Sequence, residues 1–413
     1  MKRLGVFFAT LTLFSGMAFI ADAAPTTKII IQSESKDLIV NPTLNFRGIS
    51  GNQAFSDAMK SLLTATGWFT MKNGENTDFV VSGSGSDGTF IVTLEFGNSQ
   101  LLRQQVKIAP GKERVAAKML VDMILKKCFP DYDLDGLCKS KIVFCAETAP
   151  NERNLYMCDI DGQELTQLSH FKSLVVEPAW FPTGKTIAFT KYNRTTTDIL
   201  ELDVNSKKAR RLASYPGLNV GAAISPNGKN LALILSLDNQ VELYVKAVNS
   251  ATKKRLTNGQ AVEASPVWNK EGNMICFVSD EGGRTPKLWV INANGTGRQK
   301  LPTIGTEATS PDWSGDNKIV YSARVPSGYT IAVLGLNSET QKFSGDVFSR
   351  GKGNPGGGWE SPSWSPDNRH VVCCRIVNGK SSLWVVDTFT GAARPLLNVA
   401  RNLSMPSWSP LMK

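Results

Sequence analysis

The sequence predicts an all-β six-bladed propeller preceded by a smaller N-terminal α/β domain. Three observations carry this: a Pro-x-Trp segment recurring at a near-fixed interval, a repeated set of strand-like segments between its copies, and a last copy with no strands after it. The copies are Glu177-Pro178-Ala179-Trp180, Ser265-Pro266-Val267-Trp268, Ser310-Pro311-Asp312-Trp313, Ser361-Pro362-Ser363-Trp364 and Met405-Pro406-Ser407-Trp408. A degenerate copy, Ala222-Ala223-Ile224-Ser225-Pro226, places Ile224 in the Trp slot and gives intervals of 44, 44, 45, 51 and 44 residues. A period of this length marks a blade-by-blade array.

Within each period an apolar segment follows the Trp: Lys141–Cys145, Lys185–Phe189, Lys229–Leu233, Asn273–Phe277, Lys318–Tyr321 and His370–Cys374. Apolar runs of this kind suit strands covered on both faces. An alternating segment comes next, marked by Leu155-Tyr156 in the first unit and Leu383-Trp384 in the last, and then a basic strand such as Lys253–Thr257. The turns after the Trp, for example Ser365-Pro366-Asp367-Asn368, place Pro where φ is fixed and Gly or Asn where φ turns positive. Asp316 and Asp367 therefore have a turn role, with calcium binding as the alternative. The Trp residues are expected to pack between blades. The first unit starts at its second strand, so the segment 405–410 is expected to complete the first blade, because a ring of sheets must cover its edges.

Residues 1–23 read as a cleavable export signal: Lys2 and Arg3, then an apolar stretch, then Ala21-Asp22-Ala23 with cleavage expected after Ala23. The α/β domain is expected over 24–135 and the propeller over 136–413. In the former, Lys28–Ile31 reads as a strand, and Asn52–Ala65 as a helix with Phe55, Met59, Leu62 and Leu63 on one face and Gly67 as its stop. Asp78–Val81 and Thr89–Phe96 read as strands parted by a Gly83–Gly88 turn cluster, and Gln100–Ile108 as a third. Glu113–Lys127 reads as a helix with Val115, Met119, Leu120, Met123 and Ile124 along one face. Pro130–Gly136 reads as a linker.

The net charge is +10 and the pI about 9.2. The excess is dispersed in short clusters such as Lys126-Lys127 and Lys253-Lys254-Arg255, which does not make the focused stripe that nucleic acid requires. Seven cysteines leave at least one unpaired within the chain. Cys128 and Cys138 are candidates to close a short loop, Cys145 and Cys158 to meet across two strands, and Cys276, Cys373 and Cys374 read as buried thiols. No zinc-type Cys/His spacing is present, and neither a metal nor a cofactor is predicted. His170 and His370 read as structural or surface residues. Ser82–Gly88 does not fit the nucleophile elbow of a serine hydrolase, and Gly353–Gly358 lacks the Lys-Ser/Thr of a phosphate loop. A propeller acting on polysaccharide through carboxylates, with Glu263 and Glu307 as candidates, is the alternative to a binding protein. The sequons at Asn193, Asn294 and Asn402 raise a third reading, a secreted eukaryotic propeller, which the chain's layout outweighs.

The Pro362–Asn368 motif, the basic strand closing each repeat, the export signal, the α/β domain and the terminal Pro406–Pro410 copy together resemble the TolB family of the Tol–Pal system, strongly over 141–413 and less so over 24–135. The resemblance implies a periplasmic, non-enzymatic scaffold, peripheral to the envelope membranes, that supports outer-membrane integrity and constriction at cell division. It implies two partners: a Pal-like lipoprotein at one mouth of the propeller channel, and a TolA-like inner-membrane protein at the N-terminal segment, here around Lys28, Ile29, Ile30 and Ile31. This segment departs from the family pattern in carrying Pro25 and two threonines ahead of Lys28. The segments just before each Pro-x-Trp strand should rim the mouth. They carry Glu177, Glu263, Glu307 and Glu360, with Asn219 and Asn402 in the remaining two units, and these six are the expected partner-binding residues, acting through charge complementarity.

Overall fold

The computed structural model describes residues 40–237, 239–283, 285–337, 342–349, 358–397 and 399–412. The expected leader, the Lys28–Ile31 segment and the Gly353–Gly358 loop up to residue 357 lie outside the described residues.

The α/β domain is built from β1 (Thr43–Ser50), α1 (Gln53–Thr66), β2 (Thr70–Met71), β3 (Phe79–Ser86), β4 (Thr89–Phe96), β5 (Ser99–Lys107) and α2 (Glu113–Cys128). Its sheet runs β2-β1-β3-β4-β5, with β1 parallel to both neighbours and the remaining pairs antiparallel. Helix α1 starts where Asn52 Oδ1 accepts the Phe55 N–H (2.9 Å) and stops at Gly67, whose φ of 72° is left-handed. Phe55, Met59, Leu62 and Leu63 are fully buried on the face the spacing predicts. Strand β3 runs past the expected glycine cluster to Ser86 and turns at Asp87-Gly88. Gly85 serves close approach within the strand, since a Cβ there would sit 2.1 Å from the Thr89 carbonyl.

Two departures from the sequence reading have a physical cause. Helix α2 buries Ala117, Leu120, Val121, Ile124, Leu125 and Cys128, and leaves Val115 and Met119 exposed. The rotation away from the expected face lets Arg114 and Lys118 reach acids of the propeller. The expected 130–136 linker is also packed: Leu134, Leu137 and Cys138 are buried, and Cys138 N–H donates to Asp122 Oδ1 (2.9 Å).

From Lys141 onward six four-stranded antiparallel sheets form the predicted ring, and the strand Leu403–Trp408 pairs with Lys141–Ala149 to complete blade one. Trp180, Trp268, Trp313, Trp364 and Trp408 each sit in an apolar cluster shared by two adjacent blades. The cluster at the junction of blades six and one also takes in the core of the α/β domain, from Leu44 and Phe55 through Ile142 and Val372 to Trp408. All seven cysteines are buried, and none is in a disulfide. Cys145 stands opposite Leu155 and Cys158 opposite Ile142, so the register keeps this predicted pair apart. Burial pushes the Cys145 and Cys374 thiols up to about 12, which keeps them protonated.

Two polar knots join the α/β domain to the turns at one end of the blades. In one, Arg114 donates to Asp159 (2.6 Å) and Asp161 (2.5 Å), Lys118 reaches Asp159 at 2.6 Å, Lys141 adds a further contact to Asp159, and Ser61 donates to Asp161 (2.6 Å). Burial opposes the charge on Asp159, but hydrogen bonds from Lys118 and Lys141 outweigh it and hold the carboxyl below the usual range. In the other, Trp68 Nε1 donates to Asp367 Oδ2 (3.1 Å), which also lies 2.7 Å from His370 Nδ1. Burial again resists ionisation, yet the His370 imidazole and two backbone N–H groups hold the Asp367 carboxyl at about 2. Arg369 stacks 4.7 Å over Trp68 and pairs with Asp387 at 2.6 Å. Asp367 is thus more than a turn residue, and His370 is a docking residue.

Gly67 lies against this second knot. A Cβ there would stand 2.4 Å from His370 Nε2, and Asp367 prevents the imidazole from yielding. Left-handed φ adds strain for any other residue. Gly67→Ala should lower stability by about 3 kcal/mol in urea unfolding, whereas a change within about 0.5 kcal/mol, the range of an ordinary surface substitution, would show that the docking site relaxes freely.

Candidate functional site

The innermost strands of the six blades surround a channel of about 510 Å³, lined by residues of every Pro-x-Trp copy. Three positions before the Trp slot each strand carries a residue with left-handed φ: Glu177 (56°), Gly221 (66°), Ser265 (47°), Ser310 (51°), Ser361 (52°) and Met405 (50°). Each strand slips register at the same place, so every one contains a β-bulge. The proline that follows in five copies is tolerated because an inner strand is a sheet edge and needs no donor on its channel side.

The bulge turns backbone N–H groups away from their own sheet, and side chains of the preceding blade receive several of them. Gly221 N–H donates to Glu177 Oε2 (2.8 Å), Glu177 N–H to Met405 Sδ (3.4 Å) and Ser361 N–H to Ser322 Oγ (3.0 Å). Beyond the bulge, Trp364 N–H donates to Asp312 Oδ2 (2.7 Å) and Trp408 N–H to Ser363 Oγ (3.2 Å). Glu177 and Asp312 therefore do the same work in different blades: a carboxylate of one blade receives the backbone of the next. Burial pushes both carboxyls up, and the hydrogen bonds they accept only partly offset it. Asp312 was visible in the sequence as an acid at the x position of a Pro-x-Trp copy, but the repeat alone gave it no role.

The six residues expected at the mouth occupy four different registers. Glu177 lies three residues before the Trp slot, Glu360 four, Asn219 and Glu263 five, and Glu307 and Asn402 six. Of these only Glu177 lines the channel cavity. Asn219 is fully buried and folds its own loop, accepting from Tyr215 N–H (2.8 Å) and donating to the Tyr215 carbonyl (2.7 Å). Glu263 is buried and paired with Arg298 at 2.9 Å, whose guanidinium also stacks 5.0 Å from Trp289. Glu307 is half-buried, 2.9 Å from Arg324, and accepts from the Tyr329 hydroxyl (2.5 Å); that bond, with Arg324, holds its carboxyl below the usual range. Glu360 is half-buried, and burial pushes its carboxyl up. Asn402 donates to Glu147 (2.9 Å) and accepts from Ser381 N–H (3.1 Å). The structure does not bring these six together as an unpaired acidic ring. Among the described residues no three His, Cys, Asp or Glu side chains converge as a metal cage, and Asp316 is engaged by Lys318 at 2.6 Å.

Glu263 gives the site a pH signature. Burial raises its carboxyl from 4.5 to about 7 despite Arg298. The folded chain then holds a proton that the unfolded chain has released, so this group's contribution to stability falls as pH rises from 4.5 to about 7. Glu263→Gln should gain on the parent protein across that window, by on the order of 2 kcal/mol at its upper end, in urea midpoints measured at several pH values. A difference that does not change with pH would contradict this assignment.

The fold is similar to that of TolB from Acinetobacter baumannii, with a TM-score of 0.78 over 90% of this chain and 98% of that one at 20% identity. A chain of a nidogen/laminin complex is similar over 65% of this chain and 98% of its own, with a TM-score of 0.52 and 9% identity. Among curated sequences, a "Protein TolB homolog" of Chlorobium chlorochromatii is 31% identical over 34% of this chain and 31% of its own length. A "Tol-Pal system protein TolB" of Dinoroseobacter shibae is 34% identical over 32% of this chain and 30% of its own. The chain spans less than half the length of these curated relatives, including 45% of a Chlorobium luteolum homologue at 28% identity. Residues 133–412, the whole ring with its closing strand, match the family model described as the TolB beta propeller domain. The chain belongs to the TolB beta propeller family.

Proposed function

We propose that the chain is a periplasmic, non-enzymatic scaffold of the Tol–Pal system. In this reading it binds a Pal-like lipoprotein at the propeller mouth and a TolA-like protein through the segment around Lys28–Ile31, and supports outer-membrane integrity and constriction during division. The observation that carries it is the engagement of the channel carboxylates. Glu177 and Asp312 receive backbone N–H groups of the neighbouring blade, and Glu263 is buried against Arg298. Hydrolysis by paired carboxylates needs one acid and one base facing a common substrate, and these groups are bound to the ring instead. A relative's description as a Tol–Pal system protein supports the same reading.

The partner-facing role then falls on the more accessible of the six predicted residues. Glu177, Glu307, Glu360 and Asn402 are half-buried, whereas Asn219 and Glu263 are buried and serve the fold. Glu177 is committed to the backbone of the next blade, which leaves Glu307 and Glu360 as the acids for a partner. Against the soluble domain of a Pal-like lipoprotein, Glu307→Lys should weaken binding about tenfold, equivalent to about 1.4 kcal/mol. Deleting 28–31 should remove only the TolA-like contact. Calorimetric titration of the full chain decides: absence of any Pal-like binding sinks the function, and an unaltered affinity of the Glu307 variant moves the contact elsewhere. Robust turnover of a glycan panel would overturn the scaffold reading.

A further inference from the structure

A second cavity, of about 710 Å³, lies between the first and second blades, away from the channel. Its walls are the turn at Asn151, the connection His170–Leu174 between the two blades, and the turn Lys191–Arg194 of the second blade. In an antiparallel blade, successive turns alternate between the two ends. These turns therefore lie at the end opposite those that carry Asp159 and Asp367 and dock the α/β domain.

The composition of the cavity is one-sided. Lys172, Lys191, Arg194 and His170 line it, and neither Asp nor Glu does. Lys172, Arg194 and His170 are exposed. Lys191 has Nζ 2.8 Å from Asn193 Oδ1 and 5.4 Å from the Phe171 ring centroid, and it stands opposite Asp198 across the strands, where its charge favours that carboxylate. Asp198 also receives Asn193 Nδ2 (3.0 Å) and meets Arg211 at 3.7 Å. Among the described residues none of the three cleft cations is within ion-pair distance of a carboxylate. Ser173 Oγ, in the same wall, is buried without a hydrogen-bond partner.

We propose that this cleft binds an acidic peptide segment. Cations on the inter-blade connection and on the second blade give the cleft charge complementarity to an acidic ligand. The volume is within the range of roughly 300–1,000 Å³ that accepts a drug-sized ligand or a short run of residues. The Asn151 amide suits peptide carbonyls, and Phe171 and Tyr192 offer apolar walls to side-chain stems. Nucleic acid would need a longer basic track with stacking faces, and a membrane surface would need an exposed apolar face that this cleft lacks. The inference stands apart from the channel-mouth reading, with which it shares no residue.

Fluorescence anisotropy of the full chain with a labelled Glu/Ala-alternating peptide tests it. Saturable binding is expected, weakened at least tenfold by Lys172→Ala with Arg194→Ala. Lys126→Ala with Lys127→Ala, which removes equal charge from the end of α2, should leave it unchanged. Circular dichroism confirms that both variants fold. Equal losses in the two variants would reduce the effect to net charge and overturn the site. So would an absence of saturation, or cleft variants that lose affinity for phosphatidylglycerol vesicles and not for the peptide.

Discussion

The pairing of Leu403–Trp408 with Lys141–Ala149 is the contact on which the rest of the structure depends. It joins residues about as far apart in sequence as the ring contains, Trp408 opposite Ile142 and Leu403 opposite Ala146. Unpaired, the two strands would leave an open edge on blade one and a ring without closure. The seam is reinforced on both sides. Lys141 N–H donates to Ser409 Oγ (2.9 Å), Ser409 N–H to the Lys141 carbonyl (2.8 Å) and Trp408 Nε1 to Ser140 Oγ (2.9 Å). The apolar cluster at this seam runs without a break into the α/β domain. Closure of the ring and docking of the smaller domain therefore bury the same surface, and neither should loosen without the other.

The six inner strands meet a second constraint, that of turning a sheet edge into a channel wall. A non-glycine residue in left-handed conformation costs of order 1–3 kcal/mol, and five of the six copies accept it. The return is local and polar. The bulge releases backbone N–H groups that a flat strand would direct into its own ladder, and a side chain of the neighbouring blade takes them up. Glu177 and Asp312 are the clasps in which a carboxyl oxygen is the acceptor. Their burial is tolerated because the backbone of the next blade satisfies them, which also explains why the same residues are poor candidates for acid–base chemistry.

The blade count, the closing strand and the packing role of the Trp residues were legible in the sequence because each follows from a period. The placement of the six expected mouth residues was not, because a bulge inserts an extra residue and reverses the alternation of faces. Counting back from Trp268 across Ser265 therefore lands Glu263 in a buried pair, while Glu307, one register further from its own Trp, stays half-accessible. Helix α2 shows the same difficulty in another form. Two apolar faces fit its spacing, and the acids at Asp159 and Asp161, far away in sequence, select the one that frees Arg114 and Lys118. Strand β1 escaped detection because Asn45 and Gly48 break its pattern, although it sits between β2 and β3.

The distribution of charge follows from these arrangements. The chain has 46 basic and 36 acidic residues, a modest imbalance. Many of the acids are committed inside the structure: Asp159 to three cations, Asp387 to Arg369, Glu263 to Arg298, Glu242 to Arg255, and Glu177 and Asp312 to backbone. Carboxylates so engaged project little field into solvent, whereas exposed cations such as Lys172 and Arg194 remain hydrated. The four ion-paired acids engage six cations and two more acids go to backbone, so the excess of +10 passes unchanged to the remaining charges, and it gathers where several cations line one cleft without an Asp or Glu in its wall. Selection of partners by this surface should favour acidic complements, and the geometry of the blade turns, more than the total charge, decides where they sit.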